Sequence, residues 1–171
     1  KEKGVIVEEI NMYEDMPQRH VQDMFQEALY GDQPAGWNIA GSKETVRAMT
    51  REDFVSYKKA HYVAEGTVIV VAGSVTKTQV EKEVATYFSN IPHTKKAKKV
   101  KTKESQNAPH VLLKHKATDQ THFVLGFRTF DVLDKRNTTI SVLSAILGAG
   151  MSSRLFIKLR EEMGVAYYVR A

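Results

Sequence analysis

At 171 residues the chain has material for one medium domain or for parts of two. A hydrophobic share of 42% with a charged share of 26% is that of a soluble globular protein, no apolar run approaches the length of a membrane span, and no leader peptide is visible. The absence of cysteine excludes disulfides and thiolate metal sites and points to a cytoplasmic setting, while much of the formal charge of +5 sits in one lysine run at 95–103.

In chain order, residues 3–14 read as an acidic helix with Val5, Ile6, Ile10 and Met12 as apolar anchors. Glu2 and Glu9 are seven residues apart, almost two whole turns, so both carboxylates share a face. Such a pair can serve a metal as one ligand and one supporting acid, or be a solvated helix face. Pro17 suits a first helical turn, and Val21, Met24, Phe25, Ala28 and Leu29 recur at helical spacing behind it. Residues 31–36 have turn chemistry, and Trp37 after them is expected to be a buried anchor for the loop. Ser42 and Thr50 read as caps of two helices, the second carrying Phe54, Tyr57 and His61. The β-branched run 67–73, closed by Gly73, predicts a buried strand, and 76–88 predicts a helix with Val80, Val84 and Phe88 on one face.

Residues 89–108 lose all apolar period and read as a linker, with the lysine run as its solvated part. No aromatic residue is interleaved for base stacking, which argues against nucleic acid. Residues 111–114 and 122–127 predict strands, 136–147 and 153–162 predict helices separated by a tight break at 148–150, and 165–169 predicts a further strand. His115 and His122 read as ordinary strand-side histidines rather than metal ligands.

An ordered set of strings then stands out: Glu2-x6-Glu9; Asp32-Gln33-Pro34-Ala35-Gly36 through Gly41; Tyr62; Val70-Val71-Ala72-Gly73; Leu147-Gly148-Ala149-Gly150-Met151-Ser152-Ser153-Arg154-Leu155-Phe156; Leu159-Arg160-Glu161; and Gly164-Val165-Ala166-Tyr167. The set resembles the insulinase- or pitrilysin-like (M16) zinc peptidases, in their bacterial, mitochondrial-processing-peptidase-like branch, over nearly the whole chain. The resemblance implies an α+β fold built from parts of two LuxS/metallohydrolase-like repeats. Residues 1–90 would close the first repeat, 91–108 would link, and 109–171 would open the second. The two parts could combine into one hybrid domain, with strand 67–72 pairing with 111–114 or 122–127.

The resemblance also implies roles. Glu9 maps onto the third zinc ligand and Glu2 onto its supporting acid; Arg160 and Tyr167 map onto residues that reach the substrate or its reacting carbonyl. The family's inverted His-x-x-Glu-His motif, which supplies two ligands and the general base, is missing from this sequence. The resemblance therefore implies a zinc-dependent metalloendopeptidase hydrolysing peptides in the parent protein, with this piece inert and without zinc. The alternative is a non-catalytic family subunit that binds peptide or scaffolds a catalytic partner. The implied partners are a peptide substrate and a second subunit or copy, with neither nucleic acid nor membrane.

Overall fold

The computed structural model describes residues 2–171, and its regular structure is helical. The helices are α1 (Glu2–Glu14), α2 (Pro17–Tyr30), α3 (Lys43–Ala48), α4 (Arg51–His61), α5 (Lys77–Tyr87) and α6 (Asn137–Gly148). A 3₁₀ turn covers Ala64–Gly66, and a π-helical segment covers Phe156–Glu162. By contact density the chain divides into a first unit ending at Leu125 and a second, Gly126–Ala171.

The helix starts follow local chemistry. Ser42, Thr50 and Thr76 each accept from the backbone N–H three residues on, and the residue there answers to the cap's own N–H. These reciprocal capping boxes satisfy donors that a helix start leaves orphaned. Pro17 opens α2 where its missing N–H costs nothing.

In the first unit, α1 packs on α2 and α3. The core between α1 and α3 is small: Val7 and Ile10 of α1 meet Val46 of α3, with Ile6 and Ala40 against them. Each such side chain contributes about 1.5–3 kcal/mol when fully buried. Polar ties reinforce this packing, with Lys43 bonded to Glu14 at 2.7 Å and Lys3 to the carbonyl of Arg47 at 2.8 Å.

The expected α+β architecture is not what forms. Among the described residues there is no strand, so the segments 67–73, 111–114, 122–127 and 165–169 are not strands, and the hybrid sheet joining 67–72 to 111–114 or 122–127 is absent. A β-branched run becomes a strand only when a neighbour supplies the ladder and buries a face. Here Val68 and Val70 are 87% and 84% exposed, and among the described residues neither has a backbone hydrogen-bond partner. The helical periodicities are right while several of their apolar faces stay open, as at Phe54 and Tyr57 of α4 and Val142 and Leu143 of α6. Trp37 is likewise exposed rather than buried; it holds its loop by donating from Nε1 to Asp32 at 2.8 Å.

After α5 the chain retraces the first unit in reverse order. The carbonyl of Pro92 accepts from Ala64 N–H at 2.9 Å, and Lys96 N–H donates to Glu65 at 2.8 Å. Lys103 N–H donates to the side-chain oxygen of Gln33 at 2.8 Å, and the same side chain donates to the Lys103 carbonyl at 3.0 Å. His110 Nδ1 lies 3.0 Å from the carbonyl of Ala28, Lys114 lies 3.0 Å from His20, and Lys116 donates to Asp15 at 2.9 Å. Four extended residues span about 13 Å and eight helical residues about 12 Å, so residues 110–114 can run antiparallel along α2 from Ala28 to His20.

Candidate functional site

Glu2 and Glu9 both lie on α1 and both are exposed. Their buried counterparts Val7 and Ile10 face α3, which leaves the acids outside the packed side. Seven residues of helix put them about 10 Å apart along the axis, too far to share one ion at a ligand distance of about 2 Å. One carboxylate can be a ligand and the other only a more distant support. Neither makes a hydrogen bond or ion pair among the described residues.

The donor set does not fit a zinc ion by itself. No group of three His, Asp or Glu side chains among the described residues is placed to hold a metal. Four of the six histidines are engaged elsewhere: His20 meets Lys114, His61 stacks on Tyr57 with ring centroids 4.1 Å apart, His110 meets the Ala28 carbonyl, and His122 lies 3.0 Å from Gln120. Catalytic zinc takes three protein ligands, and Glu9 offers one.

In the second unit the structure brings Arg160 and Tyr167 together. Arg160 sits in the π-helical segment, whose widened turn is visible in the bond from Met163 N–H to the Lys158 carbonyl at 3.1 Å. Gly164 follows at φ +64°, a left-handed turn that glycine adopts without Cβ strain. The reversed chain returns Tyr167, and Arg160 donates from Nη1 to its carbonyl at 3.0 Å. The guanidinium also lies 5.0 Å from the Phe156 ring centroid and 5.2 Å from that of Tyr167, within cation–π range. Its contact with Glu161 is looser, at 4.0 Å. Tyr167 is 86% exposed.

The family model described as the Peptidase M16 inactive domain matches residues 48–171. The chain belongs to the M16 peptidase family. It is 36% identical over 169 residues to a Bacillus subtilis protein named as an uncharacterized zinc protease, YmxG, covering 99% of this chain and 41% of that protein. It is 37% identical over 171 residues to the uncharacterized zinc protease ML0855 of Mycobacterium leprae, covering 98% of this chain and 38% of that protein. The chain thus spans about two fifths of the length of these M16 relatives. Among solved structures it resembles an M16 inactive domain from Pseudomonas fluorescens with a TM-score of 0.72 at 18% identity, covering 98% of this chain and 41% of the other. A protease from Helicobacter pylori gives 0.76 at 21% identity, with 99% and 42% covered. The strings quoted above therefore carried the family correctly, although the architecture inferred from them did not form.

Sequence reasoning missed a set of polar contacts. The pairs Lys114–His20, Lys116–Asp15 and Lys103–Gln33 join residues 70 to 101 positions apart. Residue spacing carries no signal for such partners. One local cue was available: Glu14 and Asp15 follow the last apolar anchor of α1 and need cations from elsewhere. No described helix is long and apolar enough to cross a membrane.

Proposed function

We propose that this chain is the part of an M16 zinc metalloendopeptidase that presents one zinc ligand and the substrate-facing arginine and tyrosine, and that it is inert alone. Glu9 would be the third zinc ligand and Glu2 the acid behind it. Arg160 and Tyr167 would stabilise charge on the reacting carbonyl of a peptide. The observation that carries this reading is the Arg160–Tyr167 clip within a chain of this family, which holds a cation and a phenol on one short, glycine-turned segment. A guanidinium fixed this way keeps donors for an oxyanion. Residues 1–90 and 109–171 would then belong to successive repeats of a longer cytoplasmic protein, with peptide as its substrate.

The test uses the full-length protein. Stoichiometric zinc and peptide cleavage are expected, with Glu9→Gln losing zinc and Arg160→Ala keeping zinc but losing turnover at least a hundredfold. Retention of zinc by Glu9→Gln overturns the ligand role. A second reading, a non-catalytic subunit that binds peptide or supports a catalytic partner, is favoured by the description of the matching family model as an inactive domain. It is the outcome if the full-length protein holds no zinc yet binds peptide.

A further inference from the structure

Six of the 25 basic residues lie at Lys95, Lys96, Lys98, Lys99, Lys101 and Lys103, and the other nineteen are offset by 20 acidic ones. The net positive charge of the chain therefore resides in this one stretch. All six lysines are exposed, and none makes a side-chain hydrogen bond or ion pair among the described residues.

The backbone there is open as well. Residues 95–107 contain no helix, turn or bend. Lys96 is held by Glu65 at one end and Lys103 by Gln33 at the other. Between those anchors, no hydrogen bond engages the backbone of residues 97–102 among the described residues. This is an open, tethered length of main chain with its donors and acceptors free, the feature that makes a sheet edge a template for another strand. On an extended chain alternate residues share a face. Lys95, Lys99, Lys101 and Lys103 then fall on one face and Lys96 and Lys98 on the other.

We propose that residues 97–102 bind an acidic peptide segment as an added strand. The peptide's backbone pairs with the free main chain, and its carboxylates meet lysines on both faces. The two anchored ends, at Lys96 and Lys103, lower the ordering cost of binding. Lysine supplies point charges without the planar fork that selects phosphate bidentately, and no aromatic residue stacks a base. Both facts favour carboxylate over nucleic acid. The site is independent of the zinc reading: it needs neither Glu9 nor metal.

The test is binding of an acetylated, amidated octaglutamate peptide carrying a fluorophore, followed by anisotropy. Raising salt from about 50 to 300 mM weakens a charge-driven complex severalfold. The triple variant Lys98→Glu/Lys99→Glu/Lys101→Glu is expected to bind at least tenfold more weakly. Lys58→Glu/Lys59→Glu/Lys82→Glu, which changes the same charge on α4 and α5, should stay within twofold. Ala97→Pro and Val100→Pro keep the charge but each removes one N–H, on opposite edges of the extended chain. One of the two must weaken binding at least fivefold. The proposal is overturned if both proline variants bind like the unmodified chain, if octaglutamate fails to bind at millimolar concentration, or if dodecathymidylate or phosphatidylglycerol vesicles compete it off as the tighter ligand.

Discussion

The ammonium of Lys114 lies 3.0 Å from Nε2 of His20, joining residues 94 positions apart in sequence. Two residues on, Lys116 donates to Asp15, and Lys43 donates to the neighbouring Glu14. The α1–α2 corner is thus surrounded by three lysines drawn from α3 and from the returning chain.

Acid should loosen this corner in a defined window. The hydrogen bond from Lys43 holds the Glu14 carboxyl below the usual carboxylate range, and that from Lys116 does the same for Asp15. A carboxyl with a lowered folded-state value binds its proton more tightly when unfolded. Its stabilising effect is complete above the ordinary carboxylate range and is lost as pH falls through the lower folded value. The Tm of the native chain should therefore fall on acidification, with Glu14→Gln/Asp15→Asn showing a lower Tm at pH 7 and converging on the native chain as pH falls below the carboxylate range. Parallel curves across that range would show that these pairs do not set the acid response.

The packing of α1 gives a second expectation. Ile10 is 8% exposed and closes on Val7 and Val46, whereas Val5, on the same helix, is 51% exposed. Ile10→Ala removes buried methylenes and leaves a hole, for a loss of about 2–4 kcal/mol. Val5→Ala removes exposed ones and should stay within about 0.5 kcal/mol. Urea unfolding followed by far-UV circular dichroism separates them, and equal losses would contradict the assigned core.

Helix was legible where its cause was local. Ser42, Thr50 and Thr76 each announce a start within four residues, and all three form capping boxes. Strand was misjudged because its cause is not local. Val68 to Val71 has the composition of a strand, but a ladder depends on a second segment that no local pattern specifies. The site divides in the same way. Glu2 and Glu9 share a face by helical geometry alone, whereas the Arg160–Tyr167 contact depends on the left-handed turn at Gly164 and on a π-helical widening that the sequence does not advertise. Trp37 shows the limit of a size argument: its ring tethers the loop through one hydrogen bond to Asp32, not through burial.

Capping supplies the third expectation. Thr50 accepts from Asp53 N–H at 3.2 Å, and the Asp53 carboxylate accepts from Thr50 N–H at 2.7 Å. That backbone bond, with the Thr50 hydroxyl, holds the Asp53 carboxyl below its usual range. Thr50→Ala should cost about 1 kcal/mol, and Thr50→Asn much less, because asparagine caps equally well. Hydrogen exchange in the first turn of α4 reads the difference directly: faster exchange in Thr50→Ala, near-native exchange in Thr50→Asn. The same rate in both would mean the cap is not what holds that turn.

The clip in the second unit can be tested through its turn. A Cβ on Gly164 would meet nothing within 4 Å, so any penalty for a side chain there comes from the backbone angle of +64° and not from crowding. Left-handed geometry costs an ordinary residue about 1–2 kcal/mol, while asparagine tolerates it better. Stability should therefore fall in the order Gly164, Asn, Ala, Val. If crowding were the cause, Asn would be worse than Ala. The same strain should weaken the reach of Arg160 to the Tyr167 carbonyl, because that contact exists only when the chain reverses at this glycine. Amide exchange over residues 165–171 should accelerate in Gly164→Val and in Arg160→Ala alike, and the double variant should add little to either. Additive acceleration would mean that the turn and the guanidinium hold the segment independently.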